Sequence, residues 1–271
     1  MNRHTTHILL LLLVFLSLAT SVDARKKKKV AEPEVAALVP DKAASKYKAM
    51  PDSHPKLPPK PYIMGGGGGS HMHGIDVSHY QPNINWKETA KDVKVGFVYI
   101  KATEGKDHVD DTYEYNIREA RRNGVRAGSY HFFRANVTGA DQFRNFTRTV
   151  SKSQQDLIPM VDVESLNGMT IATMHTRLLE LLQLITHEYG VRPLIYTGRN
   201  FYNKYFGAYS QFKPYKFMIA QYTKEEPILM NNDDYVIWQY TGHGSVKGIR
   251  GTVDQSRFHG RHSINEILYG K

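Results

Sequence analysis

Cysteine is absent from all 271 residues, which excludes disulfides, a thiol nucleophile and a lipid-modified cysteine anchor. The apolar run ILLLLLVFLSLA at 8–19 is shorter than the ~20 residues that a membrane-spanning helix needs. No His-Glu-x-x-His or comparable spacing links the 13 histidines, so neither a metal nor another cofactor is expected. The basic run RKKKK at 25–29 has no interleaved aromatics, and no recognisable nucleic-acid-binding module accompanies it, so nucleic acid is not an expected partner.

What remains at the N-terminus has the layout of an export signal. Arg3 and His4 precede the apolar run and VDA at 22–24 follows it, so residues 1–24 read as a signal peptide and the protein as exported. The lysines that follow at once work against translocation, which leaves retention as a signal anchor the competing outcome. Residues 25–72, rich in Lys, Pro, Ala and Gly and running into GGGGGS at 65–70, cannot bury a core and read as a disordered tether. Residues 1–72 hold 11 Lys and Arg against 5 Asp and Glu, a share out of proportion to their length in a chain of net charge +10. A solvated tail accounts for that charge; loose attraction to an anionic wall or membrane is its functional alternative.

Residues 73–271 are enough for one domain. Short apolar runs suited to strands lie at 74–78, 95–102, 125–133, 157–164, 192–197, 216–222, 235–240 and 251–254. Between them the 3.6-residue period predicts helices over 111–123, 138–152, 171–189 and 199–206, with another near 85–92. Strand–helix alternation argues for a parallel sheet. Eight strands in so short a chain predict a small, TIM-like α/β barrel, irregular where the last three strands lack helices between them.

The segment PMVDVES at 159–165 breaks the apolar pattern of its strand with two carboxylates, Asp162 and Glu164. Residues two apart on a strand share a face, so both acids point one way and Val161 and Val163 the other. Like charges so close raise at least one pKa, a cost with little structural use. Asp76 in the first strand and Asp254 in the last would join them, since those strands become neighbours when a barrel closes. A lone aspartate more often caps or turns a loop; four acids converging on the carboxyl rim read as catalytic. Aromatics in or at the ends of strands (Tyr99, Tyr130, Phe132, Tyr196, Tyr222, Trp238 and Tyr240) offer faces for a sugar ring. Each alone reads as core. Trp238 is the foremost candidate for stacking.

GIDVSHYQ (74–81), FVYIKATEG (97–105), GSYHFF (128–133), PMVDVES (159–165), LIYTGRNFY (194–202) and IWQYTGHGSVKGIRGTVDQSRF (237–258) resemble, in order, the glycoside hydrolase family 25 lysozymes, the Chalaropsis-type N-acetylmuramidases. The resemblance spans nearly all of 73–271 and nothing before it. It implies a (β/α)5(β)3 barrel that cleaves the β-1,4 bond between N-acetylmuramic acid and N-acetylglucosamine, with peptidoglycan strands as partner. Glu164 is then the expected general acid/base, kept protonated by partial burial beside an ionised Asp162. Asp162 either attacks or orients the substrate's 2-acetamido group, the latter favoured, and both routes give net retention. Asp76 and Asp254 would hold sugar hydroxyls or tune Glu164. Tyr130 and Tyr196 could meet the acetamido group, and Lys101 of the second motif, Tyr99, Phe132, Tyr222 and Trp238 complete the expected substrate contacts. A chitinase-like endo-N-acetylglucosaminidase and a wall-binding module without catalysis are the rival readings.

Overall fold

The computed structural model describes residues 72–270; the expected signal peptide and nearly all of the expected tether lie outside the described residues. Nine strands form one sheet. They are β1 (His73–Val77), β2 (Phe97–Glu104), β3 (His108–Val109), β4 (Arg126–Phe132), β5 (Met160–Asp162), β6 (Leu194–Gly198), β7 (Phe217–Ala220), β8 (Ile237–Gly244) and β9 (Val253–Phe258). Pairing of β1 with β2 closes eight of them into a barrel, and β3 hangs from the end of β2 as an antiparallel flap.

Helices α1 (Trp86–Thr89), α2 (Tyr113–Arg122), α3 (Gly139–Thr149), α4 (Ile171–Tyr189) and α5 (Arg199–Tyr205) follow β1, β3, β4, β5 and β6 in the chain, whereas β7, β8 and β9 are joined without α-helix. The caps explain the boundaries. Thr138 and Thr170 accept backbone N–H groups in the first turns of α3 and α4. Gly190, at φ 70°, ends α4 in the left-handed conformation that a side chain would disfavour.

One expectation needs correction. The sheet is not wholly parallel: β9 runs antiparallel to both β8 and β1. A parallel return needs a crossover of a dozen residues or more; the short segment between Gly244 and Val253 holds no helix and folds back as a hairpin. The last strand also extends to Phe258, past its expected end at 254, and β3 was not anticipated from the sequence.

Two apolar layers follow from strand alternation. Outward residues such as Val98, Ile100, Val161, Val163 and Ile195 pack under the helices with Phe146, Leu178 and Leu182. Inward residues Phe97, Tyr99, Met160, Leu194, Met218 and Phe258 fill the barrel. The C-terminal segment seals one end: the Ile158 amide donates to the Ile267 carbonyl at 2.8 Å, and Ile267 is fully buried. The other end, where the parallel strands finish, is open.

Candidate active site

At that open end a cleft of about 200 Å³ is lined by Asp76, Lys101, Tyr130, Phe132, Asp162, Glu164, Tyr196, Gln239 and Asp254, with Ser78, Tyr80 and Gln81 from the loop after β1. Strand register builds it. Asp76 lies opposite Asp254 across the β1–β9 pair, and Phe132 lies beside Asp162 across β4–β5. Asp254 stands near the start of its strand, and the antiparallel direction of β9 carries that start to the carboxyl rim. All four expected acids therefore face one cavity.

Their environments differ. Asp162 is buried, while Glu164, just beyond the end of β5, is exposed. The sequence reading had assigned partial burial to Glu164; the desolvation falls instead on Asp162. Burial pushes Asp162 well above the usual carboxylate range, and Glu164 raises it further by charge and hydrogen bond. Burial and then Asp254 push Asp76 up to about 8, against the opposing hydrogen bond from Gln239. Asp254 rises to about 6 through burial and Glu164, with His243 pulling the other way. Asp76 Oδ1 and Asp162 Oδ1 are buried and meet no hydrogen-bond partner among the described residues. Buried polar atoms are rarely left so, except where a ligand or water completes them.

The aromatic expectations divide. Tyr130, Phe132 and Tyr196 line the cleft. Tyr222 stands at its rim, its ring largely exposed and its hydroxyl donating to Gln239 Oε1 at 2.8 Å. Tyr99 lies deeper in the barrel, wholly buried, and donates to the Ile158 carbonyl. Trp238 points outward: its indole donates to the Gln221 carbonyl, and the Arg257 guanidinium lies 4.8 Å from its ring. Neither lines the cleft. His131 is also outward and buried, between Thr103 and Gln142, and burial lowers it to about 4.

Sequence reasoning missed Gln239. It is 2% exposed, accepts hydrogen bonds from Tyr196 and Tyr222, both at 2.8 Å, and donates from Nε2 to Asp76 Oδ2 at 3.0 Å. Strand alternation turns Gln239 inward only once Trp238 is known to face out, and the sequence reading had expected Trp238 in the cleft. Tyr80, highly exposed at the cleft edge, was also passed over, although it lies in a quoted motif.

Four acids and several phenols line an open cleft at the carboxyl rim of a barrel, the place and the groups that carboxylate-dependent hydrolysis would use. Comparisons with known proteins give the family. Residues 75–249 match the profile of Glycosyl hydrolases family 25. The chain is 35% identical over 195 residues to YegX of Escherichia coli, covering 70% of each chain. It is 30% identical over 203 residues to Lysozyme M1 of Streptomyces globisporus, covering 70% of this chain and 69% of that one. Among solved structures, a bacterial lysozyme from Streptomyces coelicolor superposes with a TM-score of 0.64 at 29% identity, covering 70% of this chain and 93% of that one. A family 25 glycosyl hydrolase from Bacillus anthracis gives 0.63 at 29% identity, covering 72% and 95%. The chain belongs to glycosyl hydrolase family 25, and it is a glycoside hydrolase of the lysozyme kind.

Proposed function

We propose that the enzyme hydrolyses the β-1,4 bond between N-acetylmuramic acid and N-acetylglucosamine in peptidoglycan with net retention, Glu164 acting as general acid/base and Asp162 assisting the substrate's acetamido group. The observation that carries the reading is the contrast within the pair: Glu164 stands exposed at the lip of the cleft, directly beyond the buried Asp162. A proton donor must reach a glycosidic oxygen entering from solvent. A buried carboxyl with one unpartnered oxygen suits an amide N–H.

Two carboxyls this close share a proton, since both cannot ionise cheaply. In the resting site burial favours that proton on Asp162. A bound glycan offers Asp162 an amide donor, which favours its carboxylate and passes the shared proton to Glu164. Glu164 then protonates the leaving oxygen as the glycosidic C–O bond breaks. The acetamido oxygen attacks the anomeric carbon, with Asp162 accepting from the amide N–H. The Glu164 carboxylate next takes a proton from water, which opens the cyclic intermediate and restores the acid. In this reading Tyr130 and Tyr196 meet the acetamido group, and Asp76 and Asp254 hold hydroxyls of the sugar. Lys101 and Phe132 flank it on the β2–β4 side. Such an enzyme meets its substrate outside the cytoplasmic membrane, so export belongs to the same proposal.

Glu164→Gln keeps the shape and removes the transferable proton. Its expected result is a well-folded protein that no longer clears purified peptidoglycan, and clearing at the wild-type rate overturns the assignment. Mass spectrometry of the wild-type products identifies the bond: a reducing-end muramic acid is expected, and a reducing-end glucosamine would instead establish the chitinase-like reading.

A further inference from the structure

The cleft presents a problem for an anionic substrate. Four of its lining groups are acids, and the muramyl sugar carries its carboxyl, or a peptide bearing carboxyls, on the C3 lactyl ether. Burial keeps Asp76 and Asp162 from carrying full charge, but an anion is still repelled by whichever of these acids is ionised unless a cation stands on its side of the cleft. Lys101 and Phe132 line one wall, and Arg134, not itself among the lining residues, adjoins that wall over the Phe132 ring. Lys101 Nζ donates to Glu104 Oε2 at 2.6 Å and lies 5.1 Å from the centroid of the Phe132 ring. Arg134 Nε donates to Glu104 Oε1 at 2.8 Å, and its guanidinium lies 4.8 Å from the same ring. Two cations share one carboxylate, leaving this wall with an excess positive charge.

Register places the excess beside the Asp162–Glu164 strand end. Phe132 and Asp162 are partners across β4–β5, and the Phe133 amide still donates to the Asp162 carbonyl at 2.8 Å. Arg134 lies two residues past Phe132 as Glu164 lies two past Asp162, so both emerge at the same rim on adjacent strands. Lys101 is 9% exposed at its side chain and committed to Glu104; Arg134 is 38% exposed, with its Nη1 facing no partner among the hydrogen bonds and ion pairs that hold the group. A planar guanidinium held at one edge by a carboxylate and presenting the other suits a carboxylate ligand.

We propose that Arg134 is a specificity-determining residue that reads a carboxylate on the C3 substituent of the muramyl sugar, with Lys101 holding Glu104 so that the guanidinium is not neutralised. This rests on the muramidase reading and adds to it the chemical class the site selects: acid-substituted glycan over neutral chitin-type glycan.

The test compares the wild type, Arg134→Gln and Arg134→Lys on two substrates, purified peptidoglycan and the same peptidoglycan with its carboxyls converted to amides. On native wall Arg134→Gln should raise KM about fivefold, the scale of a half-exposed charge pair, with kcat within about twofold, and Arg134→Lys should recover part of the loss. On amidated wall all three should have the same KM. An equal loss on both substrates marks a merely structural residue and overturns the proposal, as does no loss on native wall. A wild type that cleaves chitin oligosaccharides but neither wall preparation overturns the muramidase reading itself, a result distinct from either of those.

Discussion

Asp76 shows what the site costs the fold. In an unfolded chain it ionises near its ordinary value of 3.8, whereas in the folded protein burial and Asp254 hold its proton up to about 8. Between those values the folded state binds a proton that the unfolded state has released, so stability falls as pH rises from about 4 to about 8 and is level beyond. Asp76→Asn has no proton to lose. Urea denaturation at pH 4, 6 and 8 should find the variant similar to the wild type at pH 4 and increasingly more stable toward pH 8, with activity impaired throughout. Parallel pH dependence in the two proteins would mean that Asp76 is not the buried neutral acid described. The same residue shows how far side-chain chemistry can be read from one sequence. The carboxylates stood out because acids interrupting apolar strands have no packing use. Gln239 did not, because a neutral amide on a strand gives no such contrast, although it ties Asp76 to Tyr196 and Tyr222. Trp238 attracted attention by its size, and the alternation that sends Gln239 inward sends it out.

At the scale of elements, close approach inside the barrel is set by two glycines. A Cβ on Gly74 would lie 2.3 Å from the Phe97 ring, and one on Gly128 2.8 Å from both Leu157 Cβ and the Tyr99 ring. Neither contact is tolerable without movement. Gly74→Ala and Gly128→Ala should each cost about 1–3 kcal/mol in chemical denaturation. Gly74→Ala should also lower activity, because Asp76 sits two residues further along the same strand. Gly198→Ala, where the added methyl meets nothing within 4 Å, is the control; equal losses at all three positions would refute the packing argument. Helices were the readable elements: the expected 171–189 is the observed α4, because a long amphipathic period ending in glycine has few other solutions. Strand direction was not readable. The run around Asp254 looks the same parallel or antiparallel, and what decides it is the short connection from Gly244 to Val253, since β7 and β8 run parallel with no α-helix between them but a longer connection. The two-residue β3 is too short for any period to reveal, and its place is set by tertiary contacts: Asn145 of α3 donates to the carbonyls of Glu104, Gly105 and His108.

At the scale of the whole molecule the cleft and the barrel share their residues. Its lining draws on every barrel strand except β7, so a glycan seated there touches groups that only closure brings together. Asp76 and Asp254 meet across β1 and β9, remote in sequence, and an unfolded chain offers no equivalent site. Ligand binding must therefore stabilise the native state as a whole, by about 2.7 kcal/mol at a ligand concentration one hundred times Kd. Glu164→Gln allows the measurement, since it should bind without turnover. With a peptidoglycan tetrasaccharide carrying its stem peptides, its Tm should rise with ligand concentration, and the unfolding transition should shift intact rather than split. A neutral chitin tetrasaccharide at the same concentration should shift it less, because it offers nothing to the cationic wall of Lys101 and Arg134. If neither glycan moves the transition at millimolar concentration, the open end of the barrel is not where the polymer binds, however well its acids are arranged.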